Sequence, residues 1–209
     1  FRFGFDPIRV KFSPDAAKVK ELEEIGTRFG RQLLKAQKKA QRRSAGGLSE
    51  SRSDPAVLAL GRVIGSLCVL TTRKGELSGA MVASWVSQAS FTPPGITVAV
   101  AKDRAVEALL HKGDRFALNV LAEGREHGLM KQFLQPFAPG ADRFEGLALE
   151  ASPGEQPLLP DALAWLEGSV KQRMECGDHW LVYAEVQHGG LLDAAGSTAV
   201  HQRRSGANY

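Results

Sequence analysis

Six strand-like runs, four short ones at residues 66–72, 79–85, 96–101 and 116–121 and two longer ones at 165–174 and 179–188, alternate with segments rich in Gly, Pro, Ser and Asp. Runs of this length, bounded by turn-forming residues, predict β-strands. Between them, only residues 104–111, with Asp103 as N-cap, and 128–134 have helical character. Residues 135–160 are rich in Pro and Gly and are expected to form loops. So many strands with so little helix imply a mainly β chain and a closed or nearly closed barrel. Asp54-Pro55 opens a helix ahead of the first strand, the Asp as cap and the Pro in the first turn. Val57, Leu58, Leu60 and Ile64 are expected to be its buried face.

The N-terminal quarter is of a different kind. Residues 8–12 alternate as a short strand does, and Ser13-Pro14-Asp15 starts a helix that runs to about residue 43. Val19, Leu22, Ile25, Phe29, Leu33 and Ala36 give that helix an apolar stripe at three- and four-residue spacing. Such a stripe needs a covering surface. Residues 44–53, SAGGLSESRS, form a Gly/Ser-rich linker. Charge follows the same division: residues 1–54 hold 13 Lys/Arg against 7 Asp/Glu, and the remainder 14 against 16. The basicity therefore belongs to the N-terminal segment. Seven basic residues between Arg28 and Arg43 permit a nucleic-acid contact, but Phe29 is the one aromatic residue among them. A solvated helix face is the commoner use of such charge, and no nucleic-acid partner is expected.

Composition bounds the rest. With 209 residues, 43% hydrophobic and 24% charged, the chain can bury a full core. No apolar run reaches the length of a membrane span. The first residue is Phe1 rather than Met, as expected of an excised piece. Cys68 and Cys176 form no CxxC pair and no disulfide framework, which fits a reducing cytoplasm. Cys68, inside an apolar strand, is expected to be a buried structural thiol. No GxGxxG follows a strand, no Walker motif occurs, and the five histidines show no metal-ligand spacing.

Chemistry concentrates in residues 78–104, SGAMVASWVSQASFTPPGITVAVAKDR. Its small hydroxyl side chains suit a phosphate and a flat heteroaromatic ring, and Lys102 and Arg104 beyond it can neutralise phosphate charge. This spelling, the GSLCVLTT and FALNVL strands, the Cys176-Gly177-Asp178-His179 turn and the HQRRSGANY tail resemble the flavin reductase-like family of FMN-binding split β-barrels. The Ser-Trp-Val-Ser-Gln-Ala-Ser-Phe and HQRRSG spellings are similar to one branch. That branch is the C-terminal reductase module of the diflavin flavodiiron proteins of oxygenic phototrophs. The resemblance covers roughly residues 54–209. It implies a split barrel with a few short helices, residues 44–53 as linker, and residues 1–43 as the β-α remnant of a preceding flavodoxin-like domain.

The resemblance also implies roles. Ser84, Trp85, Val86 and Ser87 would cradle the flavin, with Trp85 either along the ring or in the core. Ser90 would meet the ribityl or phosphate end, and Lys102 or Arg104 the FMN phosphate. His179 would lie where the nicotinamide stacks, as the catalytic residue that positions the amide or a flavin carbonyl. His201, Arg203 and Arg204 would fold back toward the flavin or the nucleotide phosphates. Asn119, in an apolar strand, is either structural or meets the ribityl chain. The implied activity is hydride transfer from NADPH or NADH to bound FMN. In the full-length protein, electrons would go on to a flavodoxin-like FMN and a di-iron site, where O2 is reduced to water. A homodimer is the implied assembly. A non-catalytic FMN-binding module is the competing reading, since fold alone does not settle activity.

Overall fold

The computed structural model describes residues 15–30, 54–135, 142–203 and 206. The chain divides into two compact units, Phe1–Gly61 with Ser205–Tyr209, and Arg62–Arg204.

In the first unit, helix α1 covers residues 16–30. Asp15 starts it, its Oδ1 accepting the Lys18 N–H at 2.8 Å. The expected strand at 8–12, the Ser13 cap, the helix beyond residue 30 and the linker lie outside the described residues. Val19, Leu22 and Phe29 of the apolar stripe are exposed. Helix α2 (Pro55–Leu60) starts as the sequence predicts, with Asp54 Oδ1 accepting from Ala56 N at 2.8 Å and Pro55 in the first turn. Its expected buried face is a correction, because α2 buries no residue and Leu58 and Leu60 are exposed. Six residues make under two turns, too short to aim one apolar stripe at a single surface. Gly206 packs at the end of α2, its N–H donating to the Val57 carbonyl at 2.7 Å. A Cβ there would lie 2.6 Å from the Leu60 Cβ, so this close approach needs glycine.

The second unit is the barrel. Its strands are β1 (Gly65–Ser66), β2 (Cys68–Lys74), β3 (Leu77–Ala83), β4 (Val86–Phe91), β5 (Pro94–Ala101) and β6 (Arg115–Leu121), then β7 (Glu150–Ala151), β8 (Pro157–Leu158), β9 (Ala162–Cys176), β10 (His179–Leu191) and β11 (Val200–His201). Seven form one antiparallel sheet in the order β3-β2-β6-β9-β10-β5-β4. The sheet curls until β3 meets β5, and β1 meets β4. Two short helices interrupt it: a 3-10 turn η1 (Ala105–Leu109) and α3 (Glu126–Leu134).

The period of two explains the apolar spelling from Leu67 through Leu70, where β2 begins. Cys68 and Leu70 point into a core shared with Met81, Val98, Phe116, Leu118, Val170 and Val182. Leu67 and Val69 point the other way, into a second core with Leu129 and Phe133 of α3, Phe144 and Leu159. A strand covered on both faces has no polar side to show. The Cys68 thiol is buried and its pKa is pushed up to about 12 by burial, so it is an inert packing group.

Two polar groups fasten the second layer. Asn119 is fully buried and its Oδ1 accepts from Leu159 N at 2.9 Å. Its Nδ2 donates to the Val69 carbonyl at 3.2 Å and to Thr71 Oγ1 at 3.1 Å. These bonds make Asn119 the strut that holds the segment after β8 against β2 and β6. Glu167 is likewise buried, paired with Arg115 at 3.3 Å and accepting from Gly154 N at 2.9 Å.

Candidate functional site

Three pieces of the second unit meet around Trp85. The first is the corner between β3 and β4, Ser84-Trp85. The second is the turn from β9 into β10. The third is the segment that follows β10 to the tail.

The corner is tighter than the sequence suggests. Residues 86–91 are strand β4 rather than loop, paired with β5, so only Ser84 and Trp85 turn. The Trp85 carbonyl accepts from Ala99 N at 3.0 Å, which locks the corner to β5. Gly65 lies against it: a Cβ at that position would sit 1.9 Å from the Ser84 carbonyl oxygen. Only glycine lets β1 approach so closely.

The β9–β10 turn has Gly177 and Asp178 as its two central residues, since Cys176 pairs with His179. Gly177 has φ of +62° and Asp178 is not in the left-handed region, the pattern of a type II′ hairpin turn. The Asp178 carbonyl accepts from Lys102 N at 2.9 Å, which fixes the turn to the end of β5. His179, first residue of β10, is only 9% exposed. Its ring centroid stands 4.7 Å from that of Trp85, tilted by 37°. Its Nδ1 is 2.7 Å from Asp178 Oδ1. That hydrogen bond is the main reason the Asp178 carboxyl is held below its ordinary range, with the Lys102 charge adding to it.

The tail is built in. Ala199 donates to the Leu121 carbonyl at 2.9 Å and accepts from Leu67 N at 2.8 Å, and β11 pairs with β1, Gly65 opposite His201. Arg203 is thereby set with its Cζ 4.9 Å from the Trp85 ring centroid, in cation–π range. Its Nη2 donates to the Val63 carbonyl at 3.4 Å. Burial, and then the neighbouring Arg203 charge, hold the His201 imidazolium below its ordinary pKa.

Among the described residues, four buried polar atoms on these pieces find no hydrogen-bond partner: Ser84 Oγ, His179 Nε2, His201 Nε2 and Arg203 Nη1. Buried polar atoms are nearly always paired, so four together mark a place made for a polar ligand. One hydroxyl, two imidazole nitrogens and one guanidinium donor present a mixed donor and acceptor pattern.

The remaining expected contacts lie elsewhere. Ser87 is exposed and donates to the adjacent Gln88 carbonyl at 3.1 Å, and Ser90 lies further along the same edge strand. Val86 packs against the barrel core. Lys102 is ion-paired to Glu175 and lies 5.0 Å over the Trp180 ring, one step behind Asp178. Arg104, 3.7 Å from Asp103, stands at the N-cap of η1 with no side-chain cap bond, where Asp103 was expected as the cap. The helix expected over 104–111 is this five-residue 3-10 turn. Arg204 lies outside the described residues. Asp178 and Gly65 stand in motifs that carry the resemblance, but the sequence reading gives neither a role in the site. An acidic residue beside the turn histidine was the available signal for Asp178, whereas nothing local marks Gly65, whose neighbour is nineteen residues away in Ser84. Among the described residues, no cluster of three or more His, Cys, Asp or Glu is placed to hold a metal, and no helix is long and apolar enough to cross a membrane.

A curled antiparallel sheet with a tryptophan corner, a histidine turn and a basic tail is a barrel of the flavin-reductase type. The model of the flavin reductase like domain matches residues 60–208, and the chain belongs to that family. It is 57% identical over 209 residues to the diflavin flavoprotein A 3 of Synechocystis sp., covering 100% of this chain and 34% of that protein. To diflavin flavoprotein A 1 of the same organism it is 49% identical over 208 residues, covering 100% of this chain and 35% of that one. The chain thus spans about a third of the length of these relatives. An NADH:FAD oxidoreductase of Streptomyces globisporus C-1027 superposes with a TM-score of 0.63 at 25% identity, over 69% of this chain and 85% of the other. The flavin reductase component of a bacterial two-component tryptophan halogenase shares the fold, with a TM-score of 0.62 at 23% identity, over 70% of this chain and 91% of the other.

Proposed function

We propose that this chain is an NAD(P)H-dependent flavin oxidoreductase module that binds FMN beside Trp85. The observation that carries the reading is the contact of His179 and Arg203 with the Trp85 ring, with buried atoms His179 Nε2 and Arg203 Nη1 that lack a hydrogen-bond partner among the described residues, in a chain of the flavin reductase-like family. When bound, the flavin supplies the hydride-accepting chemistry. The protein supplies position and charge. Trp85 gives a flat apolar wall, and Arg203, stacked on it, places a cation where reduction adds negative charge. His179 and His201 bound the site with ring nitrogens, and burial of the cluster keeps water from competing for the same groups. Ser87, Ser90, Lys102 and Arg104 are proposed as outer contacts for ribityl and phosphate oxygens. For Arg104 the support is its exposure; for Lys102 it is a position beside the histidine turn.

The relatives' length supports a wider proposal. In the full-length protein, electrons would leave this module for a flavodoxin-like FMN and a di-iron site, where O2 is reduced to water. Partners would then be those domains and, as a homodimer, a second copy.

Anaerobic stopped-flow mixing of the FMN-loaded chain with NADPH, and separately NADH, is the test. Rapid bleaching of the flavin band is expected with at least one nucleotide, and the faster one names the donor. A bound flavin that stays oxidised with both overturns the assignment.

A further inference from the structure

We propose that Asp178 is a positioning residue that fixes His179 in the Nδ1–H tautomer, so that Nε2 faces the site as an acceptor selective for a ligand N–H group. The inference rests on the function proposed above and goes further, naming what sets the polarity of the site. The geometry is specific. The type II′ turn and the Lys102 N–H to Asp178 carbonyl bond, 2.9 Å, fix the backbone on which the carboxylate stands. Asp178 Oδ1 lies 2.7 Å from His179 Nδ1. The Asp178 side chain is 92% exposed, and its carboxyl is held below its ordinary range by that same hydrogen bond. An ionised carboxylate can only accept, so Nδ1 must donate. In the neutral ring, Nε2 then carries a lone pair. Nε2 is the buried end of a side chain 11% exposed, without a partner among the described residues, and the Trp85 ring 4.7 Å away limits ring rotation.

An acceptor in a closed site favours an N–H and rejects a carbonyl, because a mismatched pair leaves two buried groups unsatisfied. Two ligands of the reaction carry such a group: the carboxamide of the nicotinamide and the imide N–H of the flavin ring. The chemistry is shared, and the experiment separates the sources.

The first readout needs no ligand. Two-bond nitrogen–proton NMR on flavin-free protein, with His179 assigned by its loss in His179→Ala, should show a pyrrole-type Nδ1 and a pyridine-type Nε2. In Asp178→Asn the amide can donate to Nδ1, and the ring should move toward Nε2–H. The second readout compares pairs of ligands. NADPH and its acetylpyridine analogue, which lacks the amide N–H, form one arm; FMN and its N3-methyl analogue form the other. Wild type should prefer the N–H ligand by about tenfold in one arm. Asp178→Asn should erase or invert that preference, and Asp178→Ala, which leaves Nδ1 without a fixed partner, should reduce it toward unity. A pyridine-type Nδ1 in wild type, or a preference unchanged in Asp178→Asn, overturns the proposal. Absence of a preference in both arms overturns its selectivity. A chain that binds no flavin sinks the proposed function instead, while the NMR still decides the tautomer.

Discussion

Arg203 and His201 stand two residues apart on the tail and oppose one another's charge. Burial and the Arg203 cation both disfavour the His201 imidazolium, so the native state binds fewer protons there than the unfolded chain. Stability from this group is therefore fully present above the ordinary histidine value of 6.5 and is lost as pH falls from there through the lowered folded value. Urea midpoints measured downward from about pH 7 should decline over that window in wild type. The decline should be shallower in Arg203→Met and lose the His201 contribution in His201→Gln. An identical slope in all three would show that His201 titrates alike in both states. Gly65 supports the same corner by being small. In Gly65→Ala a Cβ must enter space 1.9 Å from the Ser84 carbonyl oxygen, and β1 has to move. The expected cost is about 1–3 kcal/mol of stability. A fall in FMN affinity should accompany it, since β1 carries the pairing of His201. Equilibrium unfolding and flavin fluorescence titration check the two effects separately.

At the scale of elements, strands were easier to foresee than the way they meet. The six strand-like runs became β2, β3, β5, β6, β9 and β10, because burial on one or both faces leaves a pattern that residue order reveals. Edge strand β4 escaped the reading. Its SQASF spelling is polar on an exposed edge, so it looks like a loop until pairing with β5 makes it a strand. Trp85, His179 and Arg203, which the structure brings together, could be named from the sequence because the resemblance carried them. The assembly could not, because it depends on contacts between distant segments, such as Gly65 with Ser84. Asn119 shows the limit most clearly: an amide in an apolar strand must have partners, but sequence cannot say whether a ligand or the backbone supplies them. The structure gives it Leu159 N, the Val69 carbonyl and Thr71. Asn119→Ala should therefore destabilise the chain by roughly 2–4 kcal/mol, as several buried groups lose partners. FMN affinity of the folded variant should hold. A variant that melts as wild type but binds flavin poorly would return Asn119 to the site.

For the molecule as a whole, every described residue around Trp85 lies within Arg62–Arg204, one of the two compact units. The N-terminal segment carries the excess positive charge. Deleting residues 1–53 leaves 14 Lys/Arg against 17 Asp/Glu, so the net charge changes sign. The two facts predict different fates for chemistry and for encounter. Hydride transfer at saturating nucleotide should stay within about twofold of the full chain, because the described residues in contact with Trp85 all belong to the retained unit. Association with NADPH, a polyanion, should slow at low ionic strength, where the field of the whole chain reaches several ångströms beyond its surface. Raising the salt should bring the two association rates together, as screening removes a difference that no contact creates. Stopped-flow traces over a range of nucleotide and salt concentrations separate the saturating rate from the second-order rate. A truncated chain that loses the saturating rate would mean that the basic segment takes part in the site itself. One that keeps both rates at low salt would mean that the segment's charge does not govern encounter.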